Sequence, residues 1–318
     1  MLARSLSTIA LSSVAVLITS CAPLLAANPR YATDDGAGPQ GAPPPTSEAS
    51  GPPELEAPKN DLSWTDCTSR VFSEAAVPVM PGITLDCAAY DADLDAVKGA
   101  NGSINIGVVR ATSVDTPKDA GSLVMTTGTD LPSSSQLPVW LSRAGADILK
   151  KNPIVAVDRR GTGLSDPIDC RDAFDRQEMI DQTQFEPGDD PVAKLSAIVQ
   201  AATTTCTDTI APGDSAYDNA NAAEDIERLR STWDVPTIAL LGIGNGAQVA
   251  LAYAGSHPDK VARLVLDSPL PLAIGAETAT EQKVKGQQAA LDAFAAHCAA
   301  TNCPLGRDPK GAIDALLT

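Results

Sequence analysis

The 318-residue chain predicts an α/β fold, a mostly parallel sheet with helices on both faces. Three observations carry this. Nearly continuous apolar runs of strand length alternate with helix-periodic segments, as buried parallel strands and their crossovers do. The stretch "IALLGIGNGAQVALAYA", residues 238–254, passes from an apolar strand through glycines directly into a helix. The length and an apolar fraction of 43% suffice for one large core.

The N-terminus, "MLARSLSTIALSSVAVLITSC", carries Arg4 and then an apolar run from Ile9 to Ile18. That run is too short to span a bilayer and reads as an export signal over residues 1–20. It ends in "ITSC", which resembles the lipobox of bacterial lipoproteins, where the cysteine is acylated and becomes the first residue. The resemblance predicts a lipid anchor at Cys21, on the outer face of the plasma membrane or in the cell envelope. The other reading is cleavage near Ala26 and Ala27, with Cys21 incidental. Residues 22–60 are dense in Pro, Gly, Ser and Ala, with almost no apolar periodicity. Such a segment buries too little surface to offset its ordering entropy, so residues 21–60 are predicted to be an anchored, disordered tether.

An incomplete α/β core is expected over 61–272, beginning near "LSWTDC". Its strand segments are "INIGVVRAT" (104–112), "GSLVMTTG" (121–128) and "PIVAVDRRGTGLSDP" (153–167). A polar, cysteine-bearing stretch leads to a helix over 219–235, whose Asp225, Glu227, Arg228 and Arg230 suggest a solvated outer face. A strand at 237–241, a helix at 246–256 and a strand at 261–268 follow. The remaining residues, 273–318, read as helical.

Composition narrows the partners. Forty acidic residues against 23 basic ones give a net charge of −17, which argues against nucleic acid, whose phosphates need a basic face. Setting Cys21 aside leaves Cys67, Cys87, Cys170, Cys206, Cys298 and Cys303. An even number in an exported chain implies disulfides. Of the 15 connectivities open to six cysteines, sequence proximity favours 67–87, 170–206 and 298–303. A metal site is disfavoured, with no C-x-x-C pair and only two histidines, so no metal or other cofactor is expected.

The glycines at 242–246 admit two readings. Gly242, Gly244 and Ala247 satisfy the dinucleotide pattern G-x-G-x-x-G/A, with Asp267 ending the next strand. Against this, a long structured stretch precedes the motif, and an exported protein has no evident supply of nicotinamide cofactor. The alternative is a nucleophile elbow, G-x-S-x-G, with Gly242 and Gly246 as outer glycines and Gly244 where serine belongs.

The surrounding segments favour the elbow. "DRRGTGLSDP" and "GAQVALAYAGSHPDKVARLVLDSPLP" together resemble the α/β-hydrolase fold, in particular the secreted tripeptidyl aminopeptidases of actinobacteria. Further points of resemblance are Trp64 and Cys67 followed by Cys87, the segment Asp158 to Ser165 with Cys170 after it, the acidic helix "AEDIERLR", and "C-x4-C-P-L-G" from Cys298 to Gly306. The resemblance covers about residues 62–318. It implies a serine exopeptidase ancestry, a peptide-sized cleft, and a helical lid beginning over 273–318.

It also implies functional groups that this chain lacks. Gly244 has no side chain with which to attack a carbonyl. The family's oxyanion loop resembles N-P-G-G-P-G, whereas "TTGTDLPSSS" at 126–135 keeps only Gly128. Asn245 retains a backbone N–H for an oxyanion, at the positive end of the following helix. His257 and His297 come too early in the chain for the C-terminal base, and packing or capping roles are expected for them. Ser133, Ser134, Ser135 and Ser268 are expected in turns and caps, and Asp158, Arg159 and Arg160 in fixing their loop. The expected protein is thus a degenerate, peptidase-like lipoprotein. The alternatives are an active serine peptidase completed by another segment, C-terminal to this one or on a second chain, and a non-enzymatic binder of peptides or an envelope partner.

Overall fold

The computed structural model describes residues 53–128, 131–182, 188, 190–269, 275–301 and 303–315. The expected signal, Cys21 and most of the tether fall on residues 1–52, outside the described residues. In chain order the elements are β1 (Thr65–Asp66), α1 (Thr68–Glu74), β2 (Ile83–Asp95), β3 (Ala100–Ser113), β4 (Leu123–Thr126), α2 (Ser133–Ala144) and β5 (Ile154–Val157). There follow α3 (Ala173–Gln182), α4 (Pro191–Ile210), α5 (Asn219–Trp233), β6 (Ile238–Ile243), α6 (Gly246–Ser256), β7 (Val261–Asp267), α7 (Ala276–Ala300) and α8 (Pro309–Asp314).

The strands form one sheet in the order β1-β2-β3-β5-β4-β6-β7. Four of them, β5, β4, β6 and β7, run parallel. The first three form an antiparallel meander joined to β5 through β3. Alternation along each strand divides the core into two layers. On β5, Ile154 and Ala156 face Leu137 and Leu141 of α2 and Phe72 of α1, all essentially fully buried. Val155 and Val157 face the opposite layer, with Ile226, Leu229 and Trp233 of α5 and Val249 and Tyr253 of α6. Each such side chain contributes about 1.5–3 kcal/mol on burial, so the doubly covered central strands hold the fold together.

Several elements differ from the sequence reading. The segment at 153–167 is strand only to Val157; the rest is a loop folded back on the carboxylate of Asp158. β2 has no strand-like apolar run, because its buried residues change face along its length. Ile83 and Leu85 point into one layer, Tyr90 and Ala92 into the other, with aspartates and alanines between. The polar stretch before α5 holds two helices, α3 and α4, joined by Cys170–Cys206. The other bridges are Cys67–Cys87, between the start of α1 and β2, and Cys298–Cys303, at the end of α7. Disulfides of this number mark an extracytoplasmic protein.

The packed chain also includes the last residues assigned to the tether. Glu56 bridges Ala120, the Lys59 amide donates to the Trp233 carbonyl, and Leu55 lies where a Cβ on Gly121 would meet it. Just beyond, Arg110 lies over the Trp64 ring at 4.3 Å and pairs with Asp61 at 2.8 Å and Asp86 at 3.2 Å. This cluster joins residues 61–66 to the β2–β3 hairpin.

The solvated face expected on α5 needs correcting at Asp225, whose side chain is 1% exposed and pairs with an equally buried Arg160. The guanidinium forks onto the carboxylate, Nη2 to Oδ1 at 2.6 Å and Nε to Oδ2 at 2.9 Å. Its remaining N–H groups donate to the carbonyls of Ala216 (2.9 Å), Asp93 (3.1 Å) and Leu94. Burial pushes the Asp225 carboxyl up, and Arg160 opposes that shift. Removing one partner strands a charge in the interior, at a cost of about 3–5 kcal/mol. Asp225→Ala should therefore lower stability by that amount in urea unfolding. A loss below about 1 kcal/mol would show that the Arg160 charge is not stranded in the interior.

Candidate functional site

β6 ends at Ile243 and α6 starts at Gly246, leaving Gly244 and Asn245 as the whole turn. Two of the glycines are required, for different reasons. Gly246 lies so close to β4 that a Cβ there would stand 1.9 Å from the Thr126 carbonyl oxygen. Gly244 has φ +55°, in the left-handed region, yet a Cβ built on it meets nothing within 4 Å. A side chain at 244 would therefore project into open space. The turn is held from the next strand, the Gly244 amide donating to the Asp267 carbonyl at 2.9 Å.

The open space belongs to a cavity of about 520 Å³ at the C-terminal ends of β4, β6 and β7. Ligands of open α/β sheets bind at that end of the strands, and the volume lies within the range of small-molecule sites. Gly244, Asn245 and Ile243 line it from the elbow, and Asp267 and Ser268 from the end of β7. Met125, Thr127 and Leu131 line it from β4 and the loop after it. α2 presents Gln136, Val139, Trp140 and Arg143, one face of the helix at i, i+3, i+4 and i+7, while its Leu137 and Leu141 enter the core. Sequence reasoning missed this wall because 126–135 reads as a loop; the helix starts at Ser133, inside that segment.

The loop after β4 is tied down by side chains. Ser133 Oγ accepts from the Thr127 amide at 3.0 Å, and Thr127 Oγ1 donates to the Leu131 carbonyl at 2.7 Å. Ser134 donates to the Asp158 carboxylate through both its amide and its hydroxyl, each at 2.7 Å, and the Leu164 amide adds a third donor at 2.8 Å. Burial pushes the Asp158 carboxyl up, opposed by these donors. Asp158 thus braces two loops against each other, and Ser133 and Ser134 are buried structural groups. Arg159 bonds the Asn219 side chain and the Tyr217 carbonyl, and Asn219 donates to Gln248 of α6 at 3.1 Å.

Gly128 lies against the elbow, where a Cβ would stand 2.6 Å from Asn245. The loop and the start of α6 are therefore in close contact. Residues 129–130, which follow Gly128, lie outside the described residues. Neither histidine lines the cavity. His257 Nε2 bonds Glu224 at 2.9 Å and its ring lies against Tyr253, while His297 is exposed on α7. Asp267 lines the cavity, and its carboxylate accepts from Ser268 Oγ at 2.9 Å. Ser268 itself has φ +52°, unusual for a residue with a side chain. No group of three or more His, Cys, Asp or Glu suited to a metal ion occurs among the described residues.

Residues 139–308, more than half of the chain, match the family model described as alpha/beta hydrolase fold. "Serine protease Hip1" of Mycobacterium bovis is 25% identical over 257 residues, 80% of this chain and 48% of its own length. The protein of the same name in Mycobacterium tuberculosis is likewise 25% identical. The chain thus spans about half the length of these relatives. Among solved structures, a probable hydrolytic enzyme of Pseudomonas aeruginosa is 15% identical with a TM-score of 0.34, covering 58% of this chain and 41% of that one. With its match across the elbow, α6 and β7, the chain belongs to the α/β-hydrolase family and is related to serine proteases of that fold.

Proposed function

We propose that this protein is an exported, lipid-anchored member of the α/β-hydrolase family that holds short peptides over Gly244 without cleaving them. One observation carries the reading. The residue at the nucleophile position keeps the left-handed backbone of an elbow, with open space above it, and has no hydroxyl. Because triad members act as a unit, losing the nucleophile removes nearly all hydrolysis. The kinship with serine proteases and the mixed polar and apolar walls support a peptide as ligand. Cys21, after the apolar run of the N-terminus, supplies the anchor. The dinucleotide reading rests on glycine spacing and on Asp267 at the end of the next strand, and Gly242 and Ala247 are accounted for by close packing of β6 on α6.

A second reading adds a further segment, strands beside β7 that carry an acid and a base. What favours it is β7 itself: among the described residues no strand pairs with its outer edge, and its Val265 is 52% exposed. An edge of that kind invites pairing. Co-expression with a segment that completes the sheet should raise soluble yield and melting temperature; no change in either removes this reading.

The purified protein should show only background labelling by a fluorophosphonate and no release from a fluorogenic tripeptide. A labelled elbow peptide, or turnover above the blank, would overturn the non-hydrolytic reading. Gly244→Ser should fold, at a cost of about 1–2 kcal/mol for a side chain in the left-handed region, because no atom stands in its way.

For the anchor, mass spectrometry of the mature protein should find a diacylated Cys21, since two chains hold a protein at a membrane stably where one does not. An unmodified N-terminus beyond residue 26 would rule it out.

A further inference from the structure

Arg143 is the one cationic side chain lining the cavity over Gly244, and it makes no hydrogen bond or ion pair with any described residue. Arg143 is exposed at the end of α2, whereas Arg110, Arg160, Arg176 and Arg230 are engaged by carboxylates. Val139 and Trp140 share its helix face and line the same cavity as apolar groups. A guanidinium presents a planar fork that matches a carboxylate.

We infer that the cavity selects a short apolar peptide by its free C-terminal carboxylate, docked on Arg143 with its side chains along Trp140 and Val139. The inference rests on the peptide-binding reading above and adds the end of the peptide that is recognised. A fatty carboxylate would satisfy Arg143 equally well. It would, however, set hydrocarbon against the Gln136 amide and the Asp267 carboxylate, which is costly. A peptide backbone offers donors and acceptors to Gln136, and a free amino terminus would suit the Asp267 carboxylate.

The test is titration of the full chain with Leu-Leu-Leu, its C-terminal amide and laurate, followed by calorimetry. The acid should bind roughly tenfold tighter than the amide, the scale of one charge-assisted contact at a solvated rim. Arg143→Gln should weaken the acid to the level of the amide and leave the amide unchanged. Arg143→Lys keeps the charge that complements the last turn of α2 but loses the fork, so it should restore only part of the preference. If acid and amide bind the wild-type protein equally, the carboxylate inference fails while the peptide cleft stands. Should neither peptide form bind, the peptide-binding reading itself falls. Binding of laurate without binding of the peptide acid overturns the peptide assignment. The acid–amide comparison on wild-type protein needs no variant, so misfolding of a variant cannot mask the result.

Discussion

The buried pair of Arg160 and Asp225 is the constraint on which the arrangement of segments depends. One guanidinium bonds the α5 carboxylate and the carbonyls of Asp93, Leu94 and Ala216, so its donors tie together the end of β2, the turn before α5, α5 itself and the loop after β5. No apolar residue could replace it without leaving those carbonyls unpaired in the interior. The preceding residue, Arg159, extends the same staple through Asn219 to Gln248 on α6. The helix that follows the elbow is therefore held by the loop after β5 as well as by the sheet beneath it.

On that support the turn between β6 and α6 is held by close backbone contacts, with no side chain at residue 244. Gly246 is pressed against the Thr126 carbonyl, Gly128 against Asn245, and the Gly244 amide is bonded to the Asp267 carbonyl. These contacts serve the turn whether or not residue 244 carries a nucleophile. A side chain at 244 would therefore enter the open space and leave the surroundings in place. The bracing of the loop after β4 by Asp158 and Ser134 has the same character. It positions backbone, and a positioned backbone can bind a ligand as readily as it can stabilise an oxyanion.

The cavity's walls come from parts of the chain with different roles. The sheet contributes the elbow and the end of β7, which are rigid because their strands are paired. α2 contributes a face on which Trp140 both lines the cavity and packs against the core, beside Gln136, Val139 and Arg143. Substitutions at Gln136 or Arg143 can change what the cavity accepts without disturbing Leu137 and Leu141. Trp140 couples recognition to folding on the same helix.

By itself the sequence determined the class of fold and the glycine-rich turn at 242–246 between strand and helix, because each depends on local pattern. Apolar runs of strand length, glycines between strand and helix, and six cysteines at short separations are legible without knowing what lies across the sheet. Helix α6 matches its sequence reading over 246–256 for that reason. The tertiary structure alone decided the rest. β2 was hidden because its buried residues serve first one layer and then the other, so no single period runs through it. Asp225 reads as a surface charge until Arg160, 65 residues away, is brought against it. The cavity wall on α2 was missed because a serine-rich start reads as a turn, and only its anchorage to Asp158 shows that a helix begins there. Local propensity acts over a few residues, whereas burial, ion pairing and cavity lining are set by chain segments that meet only once the sheet has formed.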